Sequence, residues 1–203
     1  MQVSAQDRER IAAAIRAAEA RTAGEIVVVL SRESDDYRFV PLLWAALAGL
    51  VIPLPLIWFT RLPALHIQLI ALAAFVVLAL VLSVPAIRLA VVPGSLKRRT
   101  AHKAAVEQFL ARNLHVTAGR TGVLIFTSLA EHYVEIIADQ GIASKVGQEV
   151  WDNAVVALTA EAKAGRVADG ILKAVELVAG ILAEHFPPQR ADVNEIPNHL
   201  VEI

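Results

Sequence analysis

Residues 121–127 read Thr-Gly-Val-Leu-Ile-Phe-Thr. Four consecutive apolar residues with no polar alternation, two of them β-branched (Val123, Ile125) and one aromatic (Phe126), predict a central strand buried on both faces. Working outward, Ala118, Gly119 and Arg120 form a turn before it, and Glu131 and His132 form one after it. Residues 133–139, YVEIIAD, alternate only in part and predict a third strand nearer a sheet edge. Upstream, residues 24–31 read GEIVVVLS, a second run of the fully buried kind. Helical periodicity is expected over 4–21, where Ile11 and Ile15 repeat with Ala14 and Ala18 on an adjoining face. It recurs over 95–114, with Ser95 as N-cap and Ala105, Phe109 and Leu110 as the apolar face, then over 145–164 and 167–185, broken at Gly165. A few hydrophobic strands covered by helices on both faces make an α/β fold, a three-layer α/β/α sandwich.

Between the first two strands the pattern changes. Residues 39–60, FVPLLWAALAGLVIPLPLIWFT, carry no charge, and neither do residues 62–87, LPALHIQLIALAAFVVLALVLSVPAI, while His66 is neutral. About twenty helical residues cross a hydrocarbon core of roughly 30 Å. Only Arg61 and Pro63 interrupt the two runs, so they predict a two-helix transmembrane hairpin of antiparallel neighbours. Pro53 and Pro55 each remove a backbone donor and predict a kink near 50–54. Trp58 and Phe59 lie at the turn end, where an interfacial aromatic belt is expected, and Trp44 is a further interfacial candidate. The domain reading is therefore 1–38 for the first part of the soluble domain, 39–89 for the hairpin, 90–187 for the second part, and 188–203 for a polar tail.

Orientation follows from the cations. The turn side has Arg61, while the other side has Arg38, Arg88, Lys97, Arg98, Arg99 and Lys103. The positive-inside rule places that side, both termini and the soluble domain in the cytoplasm, with a bacterial-type inner membrane as the multi-pass location. The basic cluster at 97–99 also meets anionic headgroups. Residues 1–23 carry Asp7, Arg8, Glu9, Arg10, Arg16, Glu19 and Arg21, which an apolar signal core cannot contain.

Composition excludes several classes. The mean hydropathy is +0.55 and the net charge −1, with no bulk excess of cations for nucleic acid. There is no cysteine, which removes disulfides, thiolate metal sites and thiol nucleophiles. No P-loop, GxGxxG or HExxH occurs, and Ser31, Ser34 and Thr127 lack a nucleophile-elbow context. His66 and Gln68 are expected near the membrane interface, an intramembrane proton relay being the sharper alternative.

The order of these segments resembles the TPM domain family, named for a thylakoid lumen protein, a photosystem II repair protein and a receptor-modulating membrane protein. The matching features are the 24–31 strand after an N-terminal helix, TGVLIF at 121–126 as the family's "GVLL" strand, the strand 134–138 followed by Gly141 and a helix, and AKAGRVADGI at 162–171 as its "F-x-x-G-x-y-x-x-G-i" segment. The resemblance implies an α/β domain, with metal binding (calcium or magnesium) and phosphatase activity as attributed to some members. Two features depart from the family. Arg120-Thr121 stands where members carry acidic or amide residues before the "GVLL" glycine, and the anchor lies inside the domain instead of at a terminus.

The candidate acids are Asp139, at a strand end beside Gly141, with Asp152 and Asp169 on or near helices. Together they would form a small acidic pocket for a cation or for water activation; apart, they are helix caps and solvated surface. His132, beside Glu131 and Glu135, is the acid–base candidate, against an ordinary surface histidine in a turn. The sequence thus predicts an integral membrane accessory protein that binds a membrane-protein partner or supports assembly of a membrane complex, without cofactor, metal or nucleic acid. A metal-dependent phosphatase of the TPM type is the alternative. Partner identity and oligomeric state are not legible in it.

Overall fold

The computed structural model describes residues 3–117, 119–188 and 200–203. It divides into two compact units, Met1–Ser34 with Arg98–Ile203, and Asp35–Lys97. The elements in chain order are α1 Ala5–Glu19, β1 Glu25–Ser31, α2 Phe39–Val51, α3 Pro53–Phe59, α4 Ala64–Leu82, α5 Pro85–Val91, α6 Gly94–Ala111, β2 Gly122–Ser128, β3 Tyr133–Ala138, α7 Gln140–Ala143, α8 Asp152–Lys163, α9 Val167–His185 and β4 Leu200–Glu202.

The first unit is an α/β domain around a four-stranded sheet in the order β3-β2-β1-β4. β1 and β2 pair in parallel with Val28 opposite Ile125, β4 pairs in parallel with β1, and β3 is antiparallel to β2 with Ile136 opposite Ile125. Every residue of β1 and β2 is buried, as two-sided coverage requires. Side-chain alternation divides them between two cores. Ile26, Val28, Leu30, Val123 and Ile125 pack with α1, α8 and α9, whereas Val27, Val29, Leu124 and Phe126 pack with Ala105 and Phe109 of α6 and with Leu114. The result is a three-layer α/β/α sandwich. Gly122 allows the close approach at the entry to β2, since a Cβ there would stand 2.4 Å from the Leu114 carbonyl oxygen.

Several elements differ from the sequence expectation. Ser95 is not the N-cap of α6: the helix begins at Gly94, and the Pro93 carbonyl accepts from the N–H groups of Leu96 and Lys97 at 3.0 and 3.1 Å. The helix expected from 145 begins at Asp152, because extended Gly147 and a 3-10 turn at Gln148–Trp151 set Trp151 into the core instead. Of the segment read as a polar tail, Leu200–Glu202 is an edge strand against β1; residues 189–199 lie outside the described residues, as does Ala118 of the expected turn. Three residues with two apolar ones are too short a run to register as a strand.

The second unit is a helical hairpin in which α2 packs on α4, Gly49 lying against the Phe75 side chain. The hydrogen-bond ladder is interrupted between α2 and α3, where Pro53 and Pro55 lack donors, while Ile52 keeps helical dihedrals (φ −55°, ψ −41°). The second apolar run is also broken. It was expected to be continuous over 62–87, but Val84 is extended (φ −60°, ψ 128°) and Pro85 opens α5. A proline ring disfavours the helical region for the residue before it. Tyr37, Val40 and Val92 form a small cluster, and Trp44 Nε1 donates to the Val91 carbonyl at 3.1 Å. Phe39–Phe59 and Ala64–Leu82 are long and apolar enough to cross a membrane, and most of their residues are not buried.

Val28 is fully buried at the centre of the sheet. Val28→Asp places an unpaired carboxylate there, at a cost of at least several kcal/mol. The expected outcome is loss of the cooperative thermal transition of the α/β domain; unchanged melting would contradict the pairing of β1 with β2.

Candidate functional site

The sequence candidates fall at opposite ends of the sheet. Asp139 follows β3, which runs antiparallel to its neighbour, so its strand end lies at the N-terminal edge of β1 and β2. The usual ligand position in open α/β sheets is the carboxyl edge of the parallel strands. His132 lies at that other edge, about 20 Å away along a seven-residue strand.

Asp139 is 5% exposed and caps α7, its Oδ1 accepting from the Gln140 N–H at 2.7 Å. Arg120 grips the same carboxylate, Nε donating to Oδ2 at 2.7 Å and Nη2 to Oδ1 at 3.1 Å. Burial by itself raises the Asp139 carboxyl, but the Arg120 fork and the Gln140 N–H outweigh it and hold the group below the usual carboxylate range. The bond to Asp139 raises Arg120 in turn. The loop is built for this contact. Arg120 adopts a left-handed backbone (φ 52°), its N–H donates to the Thr117 carbonyl at 2.9 Å, and a Cβ on Gly141 would stand 2.4 Å from the Arg120 carbonyl oxygen. Calcium requires six to eight oxygen ligands. Here both carboxylate oxygens already accept from N–H donors and the loop contributes a cation, so the residues do not fit a calcium or magnesium ion.

Asp152 and Asp169 do not join Asp139. Asp152 is exposed in the first turn of α8. Asp169, in the first turn of α9, accepts from Arg10 Nη2 at 3.1 Å. Both sit where an acid complements a helix dipole. Among the described residues, no three histidines or carboxylates gather to hold a metal.

At the carboxyl edge the three residues read together around His132 separate. Glu131 turns inward, accepting the Ser34 N–H at 2.9 Å and the Ser128 hydroxyl. His132 is exposed in a left-handed turn (φ 51°). Glu135 points to the α6 face, where His102 Nδ1 lies 2.9 and 3.0 Å from its two oxygens and the Tyr133 hydroxyl donates at 3.0 Å. The carboxylate-oriented histidine is therefore His102, a residue that sequence reading missed because Glu135 lies 33 positions away. Burial, and then the charge of Glu135, push the Tyr133 phenol up to about 12.

Two clefts open at this edge. One, of about 250 Å³, is rimmed by Asp7, Arg10, Arg166 and Asp169. The other, of about 210 Å³, is lined by Thr127, Ser128, His132, Thr159, Lys163 and Val167 among others. The Thr127 hydroxyl is buried without a partner among the described residues.

Residues 85–181, from α5 through most of α9, match the family model of the TPM domain. That stretch is similar to a TPM domain. Its fold is similar to that of the BA42 protein from the psychrophilic bacterium Bizionia argentinensis, solved by NMR, with a TM-score of 0.62 and 20% identity over 100% of this chain and 97% of that one. No curated protein matches the chain. β1 precedes the matched residues, yet it pairs with the TPM domain's β2 along its whole length.

Two outcomes are expected of the TPM domain. Calcium titration calorimetry of the chelator-treated protein should give a dissociation constant no better than ~1 mM, the weak end for protein sites; a saturable one-to-one isotherm in the low micromolar range would contradict the displacement of metal by Arg120. Because the folded Asp139 titrates below its unfolded value of ~3.9, its contribution is fully present above that pH and is lost as pH falls through the folded value. Melting temperatures measured across a pH series should thus fall below pH ~4 in the wild type, with a smaller fall in Asp139→Asn, which should start from a lower stability at neutral pH.

Proposed function

We propose that this chain is an integral membrane accessory protein whose TPM domain binds a membrane-protein partner or supports assembly of a membrane complex. One observation carries the reading: the second unit exposes large apolar side chains along both helices. Leu50 is 72% exposed, Trp58 83%, Phe59 86% and Leu80 68%. A soluble monomer rarely leaves a continuous apolar patch beyond a few hundred Å² in water, whereas a bilayer covers such a surface without further cost. Trp58 and Phe59 end the first span, at the level where aromatic residues favour the interface.

β1 and β2 adjoin in one sheet while the hairpin separates them in sequence. An even number of crossings meets that requirement. Arg38, Arg88 and the cations of 97–103 support a reading in which the α/β domain and both termini are in the cytoplasm of a bacterial-type cell, the basic residues facing anionic headgroups. A non-catalytic role is favoured because the candidate groups serve structural pairs: Asp139 with Arg120, Glu135 with His102 and Asp169 with Arg10. The competing reading, a metal-dependent TPM-type phosphatase, requires Asp139 to exchange Arg120 for a metal ion.

The expected outcome is that the chain resists carbonate extraction from membranes. A topology reporter fused after Ile203 should be active only in the cytoplasm, and one placed between Arg61 and His66 only on the far side. A far-side signal from the C-terminal fusion would overturn the orientation. Hydrolysis of a generic phosphate ester by the detergent-purified protein with calcium or magnesium, abolished in Asp139→Ala, would favour the enzyme over the accessory role.

A further inference from the structure

The 210 Å³ cleft at the end of β2 combines features that the structural pairs above do not use. Thr127 is 2% exposed, and its hydroxyl oxygen has no hydrogen-bond partner among the described residues. Buried polar groups are almost always paired, so an exception among the described residues points to a partner such as water, an ion or a bound molecule. Alternation along β2 puts Thr127 on the same face as Val123 and Ile125, the face covered by α8 and α9, and it lines the cleft that opens there. A rotation of χ1 between staggered wells carries the threonine hydroxyl into the position its methyl held, which gives the hydroxyl access to a molecule seated in the cleft.

Charge narrows the ligand class. Lys163 lines the cleft, is exposed, and makes no ion pair among the described residues. Among the described residues, no acidic side chain lines it. The acids nearest in sequence are committed elsewhere: Glu131 to the Ser34 N–H and the Ser128 hydroxyl, Glu161 to Arg166 and Lys173. A cation without a counter-charge beside an unpaired hydroxyl fits one carboxylate group. Leu129, Val134, Ala162 and Val167 form an apolar part of the wall that suits an aliphatic body, and Ser128, His132, Tyr133 and Thr159 complete the lining. The volume is below the ~300 Å³ at which pockets for drug-sized ligands begin. The position, at the carboxyl edge of a parallel strand, is where open α/β sheets place their ligands.

We propose that this cleft binds a small aliphatic monocarboxylate, its carboxylate held by Lys163 and the Thr127 hydroxyl and its branched body against Leu129, Val134 and Val167. The probe is 3-methylbutanoate, titrated calorimetrically into the full chain in lipid nanodiscs. The expected result is saturable one-to-one binding with a dissociation constant of ~1 mM, weak as befits so few contacting atoms. Thr127→Val should weaken binding about ten-fold or more, the usual effect of losing a hydrogen bond to a charged group. Its melting temperature should stay equal or rise, because an unpartnered buried hydroxyl has been removed. Lys163→Gln, on an exposed position, should weaken binding and abolish its salt dependence. The amine analogue, 3-methylbutan-1-amine, should not bind. Absence of saturable binding to the wild type would overturn the proposal. So would unchanged affinity in Thr127→Val, a lowered melting temperature in that variant (an internal partner for the hydroxyl), or equal binding of the amine.

Discussion

The parallel pairing of β1 with β2 is the constraint on which the rest depends. β1 has no neighbour in sequence with which to form a hairpin, and its seven residues are buried on both faces. It must therefore find β2 across the whole apolar hairpin and α6, since parallel neighbours always need a crossover. Once they pair, their alternation assigns each helix its side: α1, α8 and α9 to Ile26, Val28 and Ile125, and α6 to Val29 and Phe126. A one-residue slip would turn each of these side chains to the other face. The two cores differ in make-up, with α1, α7, α8 and α9 on one side and α6 on the other, and this opposes such a slip.

Much of this was legible in the residues. GEIVVVLS and TGVLIFT are central strands by composition alone, and the uncharged runs at 39–60 and 62–87 announce themselves by length. The break at Val84 was legible too, from Pro85, but a proline near the end of a long apolar run is easily absorbed into it. The edge position of Asp139 was implicit in the sequence. Only four residues, 129–132, join β2 to β3. Such a short link forces antiparallel strands, which sends the end of β3 to the N-terminal edge, away from the usual ligand position. His102 and Glu135 were not legible as a pair, because nothing in either local pattern signals a contact between a helix and a strand 33 positions apart. β4 was not legible because a strand of three residues carries almost no periodicity.

The Arg120–Asp139 pair gives the loop before β2 its own cation. A carboxylate at a buried strand end needs a positive partner, and an ion from solution or a guanidinium fulfils that electrostatic requirement equally well. The geometry differs. A guanidinium presents donors in a fixed plane, and the loop meets it by holding Arg120 in a left-handed conformation and bringing Gly141 against its carbonyl. The loop is thereby ordered without regard to ion supply, and Asp139 remains a cap for α7 and not a free acid.

The separation of β1 from β2 also has a consequence in time. Ribosomes add roughly 5–20 residues per second, so β1 waits roughly 5–20 s after its own synthesis before Ile125 exists to meet Val28. During that interval an apolar strand has both edges and both faces open, the condition under which nascent chains associate wrongly or are held by chaperones. The intervening hairpin shortens the search. Once α2 and α4 pack against each other, they draw the chain back toward its point of departure, and the loop to be closed is effectively that of the flanking segments instead of the full separation. Assembly of the hairpin before completion of the sheet is thus the economical order for this topology, and errors in the first step would surface as misfolding in the second.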